Sequence, residues 1–138
     1  MDFKKYIFGT IFVAAVALFA AQPAMAHSIK DLPPGLKKTS GVVPGMGEHY
    51  LDPKSKTIYG GYQGKIVFIE YEVAVSEMTG DENKFWDKEK IPSFVGKIDH
   101  IDLEYLGKGH PGMTLPHFVI HAYTVSHATH KAFRPPKK

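Results

Sequence analysis

Cysteine is absent from the 138 residues. That excludes a disulfide framework, and it leaves no thiol for lipid attachment behind a leader sequence. Strong charge is absent as well: the formal net charge is +3 and falls to about +2 without Asp2, Lys4 and Lys5, too little to imply a nucleic-acid partner. Beyond the first residues no run is apolar enough to span a bilayer. There is no internal repeat, and no alternation of strands with crossover helices.

What is present begins with a leader. Lys4 and Lys5 precede an apolar run from Tyr6 to Ala21, followed by Ala24-Met25-Ala26, which is the pattern of a basic region, an apolar core and a small-residue cleavage site. A membrane anchor needs roughly 20 apolar residues, and this run meets Gln22 and Pro23 too early. The expectation is a signal peptide over 1–26, no membrane anchor after its removal, and a periplasmic or secreted chain of about 110 residues, the size of one small domain. Cleavage would make His27 the new N-terminus. An amine beside an imidazole can chelate copper, as in histidine-brace proteins, although nothing after His27 matches their pattern.

Residues 27–43 are polar and broken by Pro33-Pro34-Gly35, so they read as an extended arm. A single β-rich domain is expected over 44–127 and a basic tail over 128–138. β-Branched and aromatic residues mark strands at Thr57–Tyr62 and Lys65–Val75, with Gln63-Gly64 as the turn between them. Further strands are expected at Lys97–Leu106 and Pro116–Val125. Met46-Gly47-Glu48-His49-Tyr50 reads as a glycine-hinged loop, and Ser76–Lys90 is the candidate helix. Short connections between sequential strands favour antiparallel pairing. The predicted class is α+β, mainly β: one curved antiparallel sheet, barrel-like if its edges meet, with one short helix. Open sheet edges invite pairing between subunits, so a homo-oligomer is expected.

The chemistry lies in the histidines and acids. Imidazoles with a carboxylate suit a divalent transition metal such as zinc, copper or nickel. The candidate ligands are His49, His100, Asp102 and His121, with Glu70 and His117 as supporting or substitute ligands. In a strand His100 and Asp102 share a face about 6.6 Å apart, whereas His117 and His121 stand about 13 Å apart, so only one of the latter pair can join them. Cross-strand charge complementarity favours Asp102 opposite His121 and Glu104 opposite Val119. A slip of one residue would set Ile101 opposite His121 and disperse the cluster. His110, within Gly-His-Pro-Gly, reads as a turn residue, and His127 and His130 as tail residues. Should a bound ion keep an open position, Glu70 or Glu104 could act as general base toward a water.

Several motifs together carry a resemblance: Met46-Gly47-Glu48-His49-Tyr50-Leu51-Asp52-Pro53, Ile58-Tyr59-Gly60-Gly61-Tyr62-Gln63-Gly64-Lys65 with Phe68-Ile69-Glu70, Asp99-His100-Ile101-Asp102, and Gly109-His110-Pro111-Gly112 leading to Pro116-His117-Phe118. Over most of Val43 to His127 the chain resembles an uncharacterised set of secreted bacterial proteins related to a Thermus protein, with a domain of unknown function. It departs from that set at Val119, where an acid is usual, at Tyr50, where tryptophan is usual, and at Glu70-Tyr71-Glu72, where Glu-Pro-Met is usual. The resemblance implies an exported, oligomeric β-rich domain and supplies no reaction. Two functional classes follow: an exported metal-binding protein, or a structural or small-ligand-binding oligomeric module without metal.

Overall fold

A computed structural model of the chain describes residues 27–79 and 91–137. The leader expected over 1–26, and the part of the expected helix beyond Thr79, lie outside the described residues. Six strands form one antiparallel sheet: β1 (Lys37–Lys38), β2 (Glu48–Leu51), β3 (Ile58–Tyr62), β4 (Lys65–Ala74), β5 (His100–Leu106) and β6 (His117–Tyr123), in the order β1-β2-β3-β4-β6-β5. Among the described residues two short α-helices, α1 (Val75–Met78) and α2 (His127–Lys131), accompany the sheet in a mainly β, α+β architecture. The sheet is open: β1 and β5 are its edges, so it does not close into a barrel.

The four strands expected from residue type are present with ends shifted by up to three residues. The loop expected around His49 is instead strand β2. Its approach is a tight turn in which Gly45 and Gly47 have φ of +77° and +101°, and Gly47 and Met46 both donate to the Val43 carbonyl. Such φ values favour glycine. The hinge sits before the histidine, and His49 itself pairs with Gly60 on β3.

Register places the chemistry on one face. Pairing runs across the sheet as His49, Gly60, Phe68, Tyr123 and His100 in one row, and as Leu51, Ile58, Glu70, His121 and Asp102 in the next. Asp102 therefore stands opposite His121 and Glu104 opposite Val119, the pairing that charge complementarity favoured. The following rows hold Glu72, Val119 and Glu104, then Ala74, His117 and Leu106. Residues two apart along a strand point the same way, so all of these rows share a face. A bulge near Gly60 and Gly61 leaves Val67 as an extra residue on β4, a device that bends a strand.

Apolar packing divides by face. Ile58, Val67, Phe68, Tyr123 and Phe133 pack on the histidine face, and Tyr59, Ile66, Ile69, Val95 and Ala122 on the other. Residues expected to be arm and tail also pack. β1 lies within the arm, while His130 and Phe133 are buried at 1% and 4% exposure. The C-terminal segment is clasped to the turn before β2: the Gly45 N–H donates to the Phe133 carbonyl at 3.1 Å, and His130 Nδ1–H donates to the Gly45 carbonyl at 2.7 Å.

Candidate metal centre

The six candidate ligands are distributed over three groups on this face: His49, Glu70 and His121; His100 and Asp102 with His127 and His130; and His117 with Glu72 and His110. His49 and His121 are brought together with Glu70 between them. His100, Asp102 and His117 belong to neighbouring groups.

The central group is built by three adjacent parts of the sheet. Glu70 is on β4, flanked by His121 on β6 and by β3 on its other side, beyond which β2 carries His49. The Phe68 ring supports both imidazoles by edge contacts, with centroids 5.2 Å from each. Phe68 has room to lie there because residue 60 is glycine: a Cβ at that position would fall 2.0 Å from ring carbons of Phe68. A dry aromatic wall therefore backs the polar cluster, and Glu70 and His121 are each only 4% exposed.

Glu70 Oε2 lies 3.1 Å from His121 Nε2 and 3.5 Å from His49 Nε2. Despite that proximity, Glu70 Oε2 and His121 Nε2 are buried atoms with no hydrogen-bond partner. Leaving such groups unsatisfied costs about 1–3 kcal/mol each. The spacing has a ready explanation in coordination chemistry. Nitrogen and oxygen ligands about 2.0–2.1 Å from a tetrahedral ion stand roughly 3.3–3.4 Å apart, so both contacts have the separation of ligands around a common centre.

Hydrogen bonding sets the ring that faces this centre. His49 Nδ1 lies 2.8 Å from Ser40 Oγ, whose own hydroxyl donates to the Gly41 carbonyl at 2.9 Å. Nδ1–H is then the donor to Ser40, and Nε2 presents its lone pair to Glu70, the outer support usual for a ligating histidine. Burial holds the His49 imidazole below its ordinary pKa, against the opposing pull of Glu70, and so favours the neutral form that a ligand needs. Two imidazoles and one carboxylate form the donor set of zinc sites that keep a fourth position open to water or substrate. The group borders a cleft of about 410 Å³ that Glu72, Glu104 and His110 also line. Such an ion can act as a Lewis acid or lower the pKa of a bound water, and Glu104 is the cleft carboxylate outside all three groups.

The group next to it along β4 behaves differently. In its protonated form His110 donates from Nε2 to Glu72 Oε1 at 2.6 Å and from Nδ1 to the Pro111 carbonyl at 3.0 Å, so both nitrogens are committed. Partial burial lowers the His110 pKa, but the Pro111 carbonyl and Glu72 outweigh it and the net shift is upward. His117, fully buried, donates from Nδ1 to the Leu115 carbonyl at 2.7 Å and has an unpartnered Nε2.

His110, expected as a turn residue, and His127 and His130, expected as tail residues, belong to two of the groups. The H-x-x-H spacing of the last two, behind Ser126 as helix cap, was the available signal. His27 lies against Gly96, outside the three groups.

The fold has a counterpart among solved structures. The crystal structure of a hypothetical protein from Thermus thermophilus, TTHB210, superposes with a TM-score of 0.54 at 23% identity, over 73% of this chain and 94% of that one. At that identity the likeness shows a shared fold. No protein-family model matches the sequence, and no curated protein does.

Proposed function

We propose that this is an exported protein that binds a divalent transition ion, zinc, copper or nickel, through His49, Glu70 and His121. The observation that carries it is the buried meeting of Glu70 Oε2 with two imidazole nitrogens at ligand-to-ligand spacing, without hydrogen-bond geometry between Glu70 and His121. The adjoining cleft gives the ion's open position access to a small molecule. Titration of the purified, untagged chain with Zn²⁺ tests this directly. Loss of one zinc equivalent in His121→Ala supports it, and binding indifferent to that substitution counts against it.

Export rests on the leader pattern, and N-terminal sequencing of chain recovered outside the cytoplasm should begin at His27. Self-association rests on the edge strand β5, whose residues Ile101, Leu103 and Tyr105, on the face away from the histidines, are 63%, 66% and 57% exposed. An apolar edge of this kind is a template for pairing with another strand. Sedimentation velocity should show an oligomer that Leu103→Glu dissociates. A metal-free structural role is the second reading, favoured by the Glu72–His110 bond, which uses the same residue types purely to tie the sheet to a turn. A melting temperature unmoved by chelator would favour it.

A further inference from the structure

We propose that His100 and Asp102 of β5, with His127 and His130 of α2, form a second and separate ion site, a closed structural one for zinc or a similar borderline divalent ion. Its role is to fasten the C-terminal helix to the edge strand.

The geometry converges on Asp102. His130 Nε2 lies 3.7 Å and His127 Nδ1 4.0 Å from Asp102 Oδ2, while His100 Nε2 lies 3.9 Å from Oδ1. His127 Nδ1 and His130 Nε2 are 3.2 Å apart. The three longer separations close, and the 3.2 Å one opens, to the roughly 3.3–3.4 Å of a tetrahedral site by shifts of well under an ångström. Three imidazoles and one carboxylate fill all four positions, and a filled tetrahedron is the mark of structural rather than catalytic zinc.

The rings are aimed in advance. His100 Nδ1–H donates to Asp99 Oδ1 at 3.0 Å, leaving Nε2 directed inward, buried and without a hydrogen-bond partner. His130 donates from Nδ1 to the Gly45 carbonyl, so its Nε2 also carries a lone pair. His127 Nδ1–H then donates to His130 Nε2; an ion takes the place of that shared proton, which moves to Nε2 of His127. Outer hydrogen bonds of this kind, carboxylate to one ring and carbonyl to another, are what metal-binding histidines require. The Tyr123 ring, stacked on His130 at 4.0 Å and on His100 at 5.0 Å, holds the pair from the sheet side.

The fold gives such an ion a purpose. α2 has five residues, too short to persist without tertiary contacts, and the chain has no cysteine with which to staple it. Small domains commonly obtain that restraint from a metal.

The test loads the purified untagged chain with excess Zn²⁺, desalts it and counts zinc per chain, while hydrogen exchange is followed over residues 127–133. The unmodified chain is expected to retain two ions, and His127→Ala and Glu70→Gln one each. Zinc should slow exchange in α2 of the Glu70→Gln chain and leave it unchanged in His127→Ala. The His127 side chain is 61% exposed, so its loss spares the fold; its removal should weaken this site at least about a hundredfold. Zinc retention equal in His127→Ala and the unmodified chain overturns the proposal, as does loss of all zinc in Glu70→Gln. Retention of one ion that only His127→Ala removes supports this site and counts against the central one.

Discussion

Glu70 with His49 and His121, and Glu72 with His110 and His117, have the same composition, start two residues apart on one strand and face the same way. They differ in where the lone pairs go. At Glu72 a partly exposed His110 closes a 2.6 Å hydrogen bond and spends its other nitrogen on a carbonyl, which leaves the buried His117 Nε2 as that group's unpartnered nitrogen. At Glu70 the nearest approach is longer, 3.1 Å, and a buried oxygen and a buried nitrogen meet without hydrogen-bond geometry. Residue type therefore does not make a metal centre; orientation and burial do. The Glu72 carboxylate is already tied to His110, whereas the Glu70 carboxylate has the imidazoles of His49 and His121 around it and a buried oxygen without a hydrogen bond, an arrangement that could hold an ion.

The largest expected effect breaks the symmetry of that pair. Glu70→Gln or His121→Ala should weaken zinc at the central site by about a hundredfold or more, measured by competition with a chromophoric chelator. Glu72→Gln should leave zinc affinity within about twofold. Equal losses from Glu70→Gln and Glu72→Gln would erase the distinction.

Metal removal comes next. An ion bound only by the folded state, present at about a hundred times its Kd, stabilises by about 2.7 kcal/mol. For a domain of this size that is on the order of 10 °C in Tm. Chelator should lower the melting temperature by that much in the unmodified chain, with recovery on adding zinc.

A third substitution leaves every ligand in place and moves their support. In Gly60→Ala the new Cβ must displace the Phe68 ring, on which His49 and His121 both rest. Overpacking of this kind costs about 1–3 kcal/mol. The variant should lose both thermal stability and zinc affinity, whereas Gly64→Ala, where nothing lies within 4 Å of the added carbon, should lose only what its φ of +77° imposes.

The smallest effect is in the pH dependence of the metal-free protein, and its sign differs between the groups. The His49 pKa is below the ordinary 6.5 in the fold, so the unfolded chain takes up protons first and this contribution to stability falls as pH drops through 6.5. His130 behaves alike, because burial lowers its pKa too. His110 is raised, so its bond to Glu72 adds stability below pH 6.5 that is lost as pH rises through its folded value. His110→Gln should therefore cost more at about pH 6 than at about pH 8, yet under about 1 kcal/mol, because the pair is partly solvated. Chemical denaturation at the two pH values measures it.

Much of this was legible in the residues. Ile66, Val67, Phe68 and Ile69 announce β4, and Phe118, Val119 and Ile120 announce β6. The complementary charges of Asp102 and His121 indicated the register that aligns the face. β2 was hidden because Gly45, Met46 and Gly47 look like a loop, and nothing local tells where the turn stops and the strand begins. α2 was hidden because five residues with no apolar stripe do not announce a helix; its place depends on Phe133 and the Gly45 clasp, which are contacts distant in sequence. The division into separate groups was illegible too, since it depends on which nitrogen of each ring is already taken.

Anomalous diffraction at the zinc edge, from crystals of the zinc-loaded chain, is the most direct measurement. A peak about 2.0–2.2 Å from His49 Nε2, Glu70 Oε2 and His121 Nε2 is the predicted result. Density at Glu72 and His110 with none at Glu70 would contradict it.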